Sequence, residues 1–237
     1  MRLAVLHRLL APPGDRHGPL VEMMVLLTLL TGVVDAASYV GMGHVFVANM
    51  TGNVVFLGFA LAGARGLSVA SSLVALGAFL VGARAGGAIA EGLAAHRGRL
   101  LRASTAVQAC LIAAALVLAL AASSPLPAGL RYGVTALLAI AMGTQNSAVA
   151  RLAVPELTTT VLTKTLTSLA AEPRSARHLQ ARRVTAVAAM LLGALVGALL
   201  VLEASIAAAL AVALALAATV ALLAHLRAGS DAPWTKP

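Results

Sequence analysis

Long apolar runs with almost no charge alternate with short basic segments along this chain. Six runs, residues 20–42, 68–90, 103–122, 130–154, 184–202 and 205–226, are long enough to cross a bilayer as helices, which takes roughly 20 mostly apolar residues. Two further stretches break the pattern. Residues 45–63 (VFVANMTGNVVFLGFALAG) have the length but carry a polar Asn-Met-Thr-Gly-Asn centre, and residues 155–170 are shorter and hold a Lys and six Thr. The pattern predicts an all-α polytopic membrane protein with about six transmembrane helices and two short re-entrant or broken segments. Residues 20–226 form one transmembrane domain, and residues 1–19 and 227–237 are read as cytoplasmic tails, with His7 and His17 solvated in the first.

Composition agrees with this pattern. Hydrophobic residues make up 60% of the chain, charged residues 11%, and the mean hydropathy is +0.95. A soluble domain carries about 25% charged residues, so this one cannot cover itself with water-seeking groups. Aromatics are only 3%, leaving Ala, Leu, Val and Gly, which suit closely packed membrane helices. The formal charge is +9, yet nucleic acid is not the implied partner, because Arg flanking apolar spans is what the positive-inside rule produces. The lone Cys110 excludes a disulfide scaffold and a Cys-based metal site. His44 and His225 have no second ligand at metal spacing. No zinc-protease, nucleophile-elbow or P-loop motif occurs, so neither an enzyme nor a cofactor is expected. The partners expected are the bilayer itself, anionic lipid headgroups at the basic loops and a small polar solute.

The distribution of charge decides how the doubtful stretches run. If both cross, Arg84, Arg97, Arg99, Arg102 and Arg151 fall at external ends. If neither crosses, only Arg65 and Arg131 do, and the clusters Arg97/Arg99/Arg102 and Arg174/Arg177/Arg182/Arg183 become cytoplasmic with both termini. The positive-inside rule favours the second arrangement. Arg84, Arg131 and Arg151 then sit near span ends, where long basic side chains snorkel.

Shifting the sequence by 111 to 112 residues aligns two halves, about 20–122 and 130–226. Gly32-Val33-Val34-Asp35 meets Gly143-Thr144-Gln145-Asn146, and Met50-Thr51-Gly52-Asn53 meets Leu162-Thr163-Lys164-Thr165. Three crossings per half is an odd number, so the second half enters from the opposite side. This is the inverted plan of many transporters and channels. The polar segments would then dip in from opposite sides, with Gly52 permitting unusual backbone angles and Thr51 and Asn53 able to cap a helix beginning there. Such an N-terminus at the midplane presents free N–H groups and partial positive charge. The same residues could equally form a tight turn or kink, with polar groups that glue helices together.

Asp35 lies well inside the first span, where a carboxylate costs about 2.5–3.5 kcal/mol and must face protein or water. It is a candidate charge-coupling residue or substrate contact, or else a structural acceptor, and its repeat mate is Asn146. Lys164 is its candidate ion-pair partner, or it snorkels.

At these residues the chain resembles a family. Gly32–Asn53 (GVVDAASYVGMGHVFVANMTGN), together with Gly143–Ser147 (GTQNS) and Pro155–Thr163 (PELTTTVLT), is similar to the blocks of the YoaK-type bacterial membrane proteins of unknown function, over about residues 20–225. The resemblance marks Asp35, Phe46, Asn49, Thr51, Gly52, Asn53, Gln145, Asn146, Thr159 and Thr163. Lys164 departs from it, since that position is expected to be Gly. The resemblance implies a multi-pass protein of the bacterial cytoplasmic membrane and no particular chemistry. The function expected is a channel or secondary transporter for a small polar solute, with Asn49, Thr51, Gly52, Asn53, Gln145, Asn146, Thr159 and Thr163 lining the midplane site, Asp35 as its charge-coupling residue and Lys164 beside them. The alternative is a non-transporting scaffold or regulator whose polar residues only lock the helices.

Overall fold

The computed structural model describes residues 9–12, 14–122, 126–172, 177–229 and 232–236. Parts of both expected tails, with His7 and Arg174, lie outside these. Among these residues, eight α-helices follow in order: α1 (Leu20–Gly41), α2 (Met50–Leu61), α3 (Val69–Gly92), α4 (Arg97–Leu120), α5 (Ala128–Leu152), α6 (Leu162–Ala171), α7 (Arg177–Glu203) and α8 (Ile206–Arg227). No strand occurs among the described residues. Five of the six long helices are long and apolar enough to cross a membrane. The sixth, α5, has the length, but Thr144, Gln145, Asn146 and Ser147 lower its hydropathy. It tolerates them because its inner face is buried from Val134 to Leu152.

Helices α4 and α7 begin earlier than the apolar runs suggest. They extend through Arg97 and through Arg182 and Arg183, because these arginines find buried partners. Arg182 binds the Leu10 carbonyl and the Asp15 carboxylate. Arg183 binds the Ser168 carbonyl and both Glu156 and Glu172. Both are at most 2% exposed, so they are not free to meet lipid headgroups as the loop reading had it. His17 is likewise buried rather than solvated, with its Nδ1 3.0 Å from the Arg97 guanidinium.

Helix directions follow from these contacts. Arg97 at the start of α4 reaches the Leu152 carbonyl at the end of α5 and His17 just before α1. At the other end, Thr135 near the start of α5 lies 3.8 Å from Met42 just past α1, so α1 and α5 are antiparallel. Helix α3 is parallel to α5, because Gly82 meets Ile140 and Gly86 meets Thr144. Therefore α1 ends where α3 begins, and α2 returns to the end it left. By the same logic α7 is parallel to α1, and α6 returns to the opposite end. Helices of 12 and 10 residues span only about 18 and 15 Å at 1.5 Å per residue, about half of a bilayer core.

The packing of the two halves is exchanged. Helix α1 packs along α7, α5 packs along α3, and α4 pairs with α8. Glycines set the closest approaches, in pairs separated by the same 111 positions: Gly32 and Gly143, Gly82 and Gly193, Gly86 and Gly197. A Cβ at Gly32 would lie 2.4 Å from the Met190 carbonyl oxygen and one at Gly143 2.2 Å from that of Phe79. At Gly82 and at Gly193 it would come within 2.1 Å of a facing carbonyl oxygen. Gly82-x-x-x-Gly86 and Gly193-x-x-x-Gly197 are small-residue stripes that let backbones touch, which replaces the hydrophobic drive that lipid removes. Outward faces carry Leu80, Leu191 and Leu195, all exposed.

Two apolar clusters fill the interior. One gathers Leu20–Leu27 positions with Leu100, Leu152 and Trp234, and the other Val33, Val34, Ile112, Leu138 and Leu210. Between them lies a buried polar layer of Thr28, Thr31, Ser104, Thr105, Gln108, Thr144 and Gln145.

Two predictions follow from the packing. Gly193→Ala forces α1 and α7 apart and should cost about 1–3 kcal/mol, whereas Gly87→Ala, which meets nothing within 4 Å, should be neutral. Equal thermal unfolding midpoints in detergent would overturn the close-approach account. For His17, burial and then Arg97 push the pKa from 6.5 down to about 4, although Asp15 opposes the shift. The unfolded chain then binds more protons between those values, so stability rises with pH through that window and is lost as pH falls from about 6.5 to 4. The fall in unfolding midpoint over this range should be smaller for His17→Gln than for the wild type.

Candidate functional site

The end of α1 and the start of α2 form one construction. After Gly41 the chain turns through Gly43 and His44, both at positive φ, and runs extended towards α2. Its backbone has no helix or sheet to pair with, and lipid offers nothing. Side chains supply the bonds. Asp35 Oδ1 accepts from the N–H of Val47 (3.0 Å) and of Ala48 (2.8 Å). Asn53 imitates a neighbouring strand: its Oδ1 accepts from Phe46 N–H at 2.9 Å while its Nδ2 donates to the Phe46 carbonyl at 2.6 Å. Asn49 caps α2 by accepting from Gly52 N–H. Gly52 is required by space, because a Cβ there would lie 2.8 Å from the Phe46 ring. Phe46 itself stacks on Tyr39 and Phe56. Of the Met-Thr-Gly-Asn motif, Thr51 alone is left exposed without such a task.

The second half ties down its connector with different residues and through side chains. The connector from α5 to α6 holds Ala153, Glu156 and Thr159 at positive φ, which costs a non-glycine residue roughly 1–2 kcal/mol each. Arg183 fixes Glu156, and Gln145 donates to the Thr159 hydroxyl at 3.0 Å. Asn146 Oδ1, at the position matching Asp35, accepts from the Thr160 hydroxyl at 3.1 Å. Glu172, just past α6, is held below the usual carboxylate range by its hydrogen bond to Arg183. Lys164 replaces the expected glycine without a clash because it is exposed.

The starts of α2 and α6 face one cavity of about 480 Å³. Its lining includes Asp35, Asn49, Thr51 and Gly52 from the first half and Thr160 and Thr163 from the second, closed by Val55, Phe56, Leu166 and Met190. Thus Asp35, Asn49, Thr51, Gly52 and Thr163 come together as the sequence suggested. Asn53, Gln145 and Thr159 do not reach it; they are buried in internal bonds. Asn146 lines the adjacent cavity that shares Thr160 and Val161. The Asp35–Lys164 ion pair is absent among the described residues: the carboxylate is turned to backbone N–H groups instead. Sequence reading passed over Gln108, which sits between Gln145 and Met142 while Gln145 in turn reaches Thr31. A glutamine in mid-span, four residues after Ser104, was the available signal.

A family model described as "Protein of unknown function (DUF1275)" matches residues 23–223, and the chain belongs to this family. It is also similar to the UPF0700 transmembrane protein YoaK of Bacillus subtilis (strain 168), 35% identical over 148 residues. That match covers 62% of this chain and 64% of the relative. No solved structure matches.

If Asn53 is an architectural residue, Asn53→Leu strips the partners from Phe46 N–H and carbonyl and should cost about 2–4 kcal/mol. Thr51→Val should leave stability within about 0.5 kcal/mol, as surface changes usually do. Unfolding midpoints in detergent check both, and a stable Asn53→Leu would overturn the assignment.

Proposed function

We propose that this member of the DUF1275 family is a channel or secondary transporter for a small polar solute in the bacterial cytoplasmic membrane. Its halves form an inverted repeat around the shared cavity, and both termini are cytoplasmic. One observation carries the reading: two half-length helices entering from opposite ends bring their N-termini to the same cavity. Each N-terminus offers N–H groups without intrahelical partners and a partial positive charge, and Thr51 and Thr163 add hydroxyls. Asp35 contributes the one carboxylate of the lining, through which the solute or a coupling ion is held. The orientation rests on charge: Arg16, Arg97, Arg99, Arg102, Arg151, Arg177, Arg182, Arg183 and Arg227 gather at the end where α1 starts, against Arg65 and Arg131 at the other. That asymmetry places the basic end inside.

The scaffold reading is favoured by a specific observation too. Asp35, Asn53, Gln145, Asn146 and Thr159 all serve internal hydrogen bonds, as packing residues would.

Water access separates the two. In a Cys110→Ser background, Thr51→Cys and Thr163→Cys should react with small charged methanethiosulfonates, and Leu191→Cys on the outer face should not. Protection of Thr51→Cys and Thr163→Cys from these reagents favours the scaffold. In intact cells Ala64→Cys should take up an impermeant label and Ala95→Cys should not; the reverse pattern overturns the orientation.

A further inference from the structure

The basic end contains a second cavity that the pathway reading does not use. It has a volume of about 300 Å³ and lies where α4 begins and α5 ends, lined by Arg16, Arg97 and Arg151 beside an apolar wall that includes Leu100 and Leu152. Among the described residues, no acidic side chain lines it. The arginines around it differ sharply from their neighbours. Arg182, Arg183 and Arg227 each have a carboxylate within ion-pair distance. Among the described residues, Arg16, Arg97 and Arg151 have none.

Arg97 is the telling member. It is only 7% exposed, and its bonds go to neutral acceptors, the His17 ring nitrogen and the Leu152 carbonyl. Asp15, the nearby acid, is engaged by Arg182. A guanidinium withdrawn from water without a counter-charge is costly. Two more arginines lining the same space add to that cost unless an anion enters. Arg97 is also the first residue of α4, so the positive end of that helix points the same way. Planar guanidinium groups bind phosphate oxygens bidentately.

We propose that this cavity binds a phosphate-bearing anion, with Arg97 as its buried anchor and the exposed Arg16 and Arg151 as its clamp. The phosphodiester of an anionic lipid headgroup has the right chemistry, as does free phosphate. The apolar wall of Leu100 and Leu152 suits the glycerol and upper acyl portion of a lipid.

The test uses the full-length chain in nonionic detergent, titrated with phosphatidylglycerol, with phosphatidylcholine of the same acyl chains, or with inorganic phosphate. Binding is followed by native mass spectrometry and by the unfolding midpoint. Phosphatidylglycerol should bind and stabilise, and phosphatidylcholine should not. Arg16→Gln with Arg151→Gln should weaken that binding about thirtyfold, from about two lost charges. Arg99→Gln with Arg102→Gln removes the same charge outside the cavity and should leave it unchanged. All four side chains are exposed, so neither double variant disturbs the core. Stabilisation by millimolar inorganic phosphate, lost in the Arg16/Arg151 variant, would identify free phosphate as the source. Equal binding of both lipids with no phosphate effect, or equal weakening by both double variants, would overturn the site.

Discussion

Peptide groups at membrane depth must find their hydrogen bonds in protein, and the whole arrangement bends to that requirement. Two connectors, one on each side of the molecule, leave helical geometry to start α2 and α6 partway through. Each is therefore tied down by a set of side chains. Asp35 and Asn53 bond the backbone of the first, while Gln145, Asn146 and Arg183 hold the second through the side chains of Thr159, Thr160 and Glu156. The polarity of α5 follows from the same demand. It carries the acceptors and donors for the connector that leaves it, so it is less apolar than the other five long helices, and α3 and α4 cover it.

Close backbone contact makes this covering possible. Where Gly32 meets α7 and Gly143 meets α3, no side chain separates the helices, and the rest of each interface is set by that distance. The half-helices then occupy the remaining space, and their starts fall together at one cavity. The strained connector residues Ala153, Glu156 and Thr159 are held by neighbours on two sides, which is how left-handed non-glycine residues persist.

Much of this could be read in the sequence. The six runs, their order and the return of the two polar segments followed from apolar length and the placement of arginine. Thr51 and Thr163 were matched by the 112-residue offset, and Asp35 was added to their site as the carboxylate inside the first span. The tasks of Asn53, Gln145 and Thr159 were not legible, because an amide or hydroxyl that bonds inside the protein looks the same in sequence as one that faces a solute. The Asp35–Lys164 pair went wrong for a related reason: opposite charges in neighbouring polar segments invite pairing, but the N–H groups of Val47 and Ala48 take up the carboxylate. His17 and Arg182 resemble ordinary flanking charges until the chain before α1 is seen to fold at that end, and Arg183 does so until Glu156 and Glu172 are seen to close on it.

The exchange of partners between halves has a consequence for how the chain is made. Helix α1 leaves the ribosome first, yet the surface it rests on is α7, which is synthesised more than 130 residues later. Chains are made at about 5–20 residues per second, so α1 waits for seconds in the bilayer with Gly32 and the Asp35 side uncovered. The first half is thus an open template that is covered in steps, α3 when α5 arrives, α1 when α7 does and α4 when α8 does.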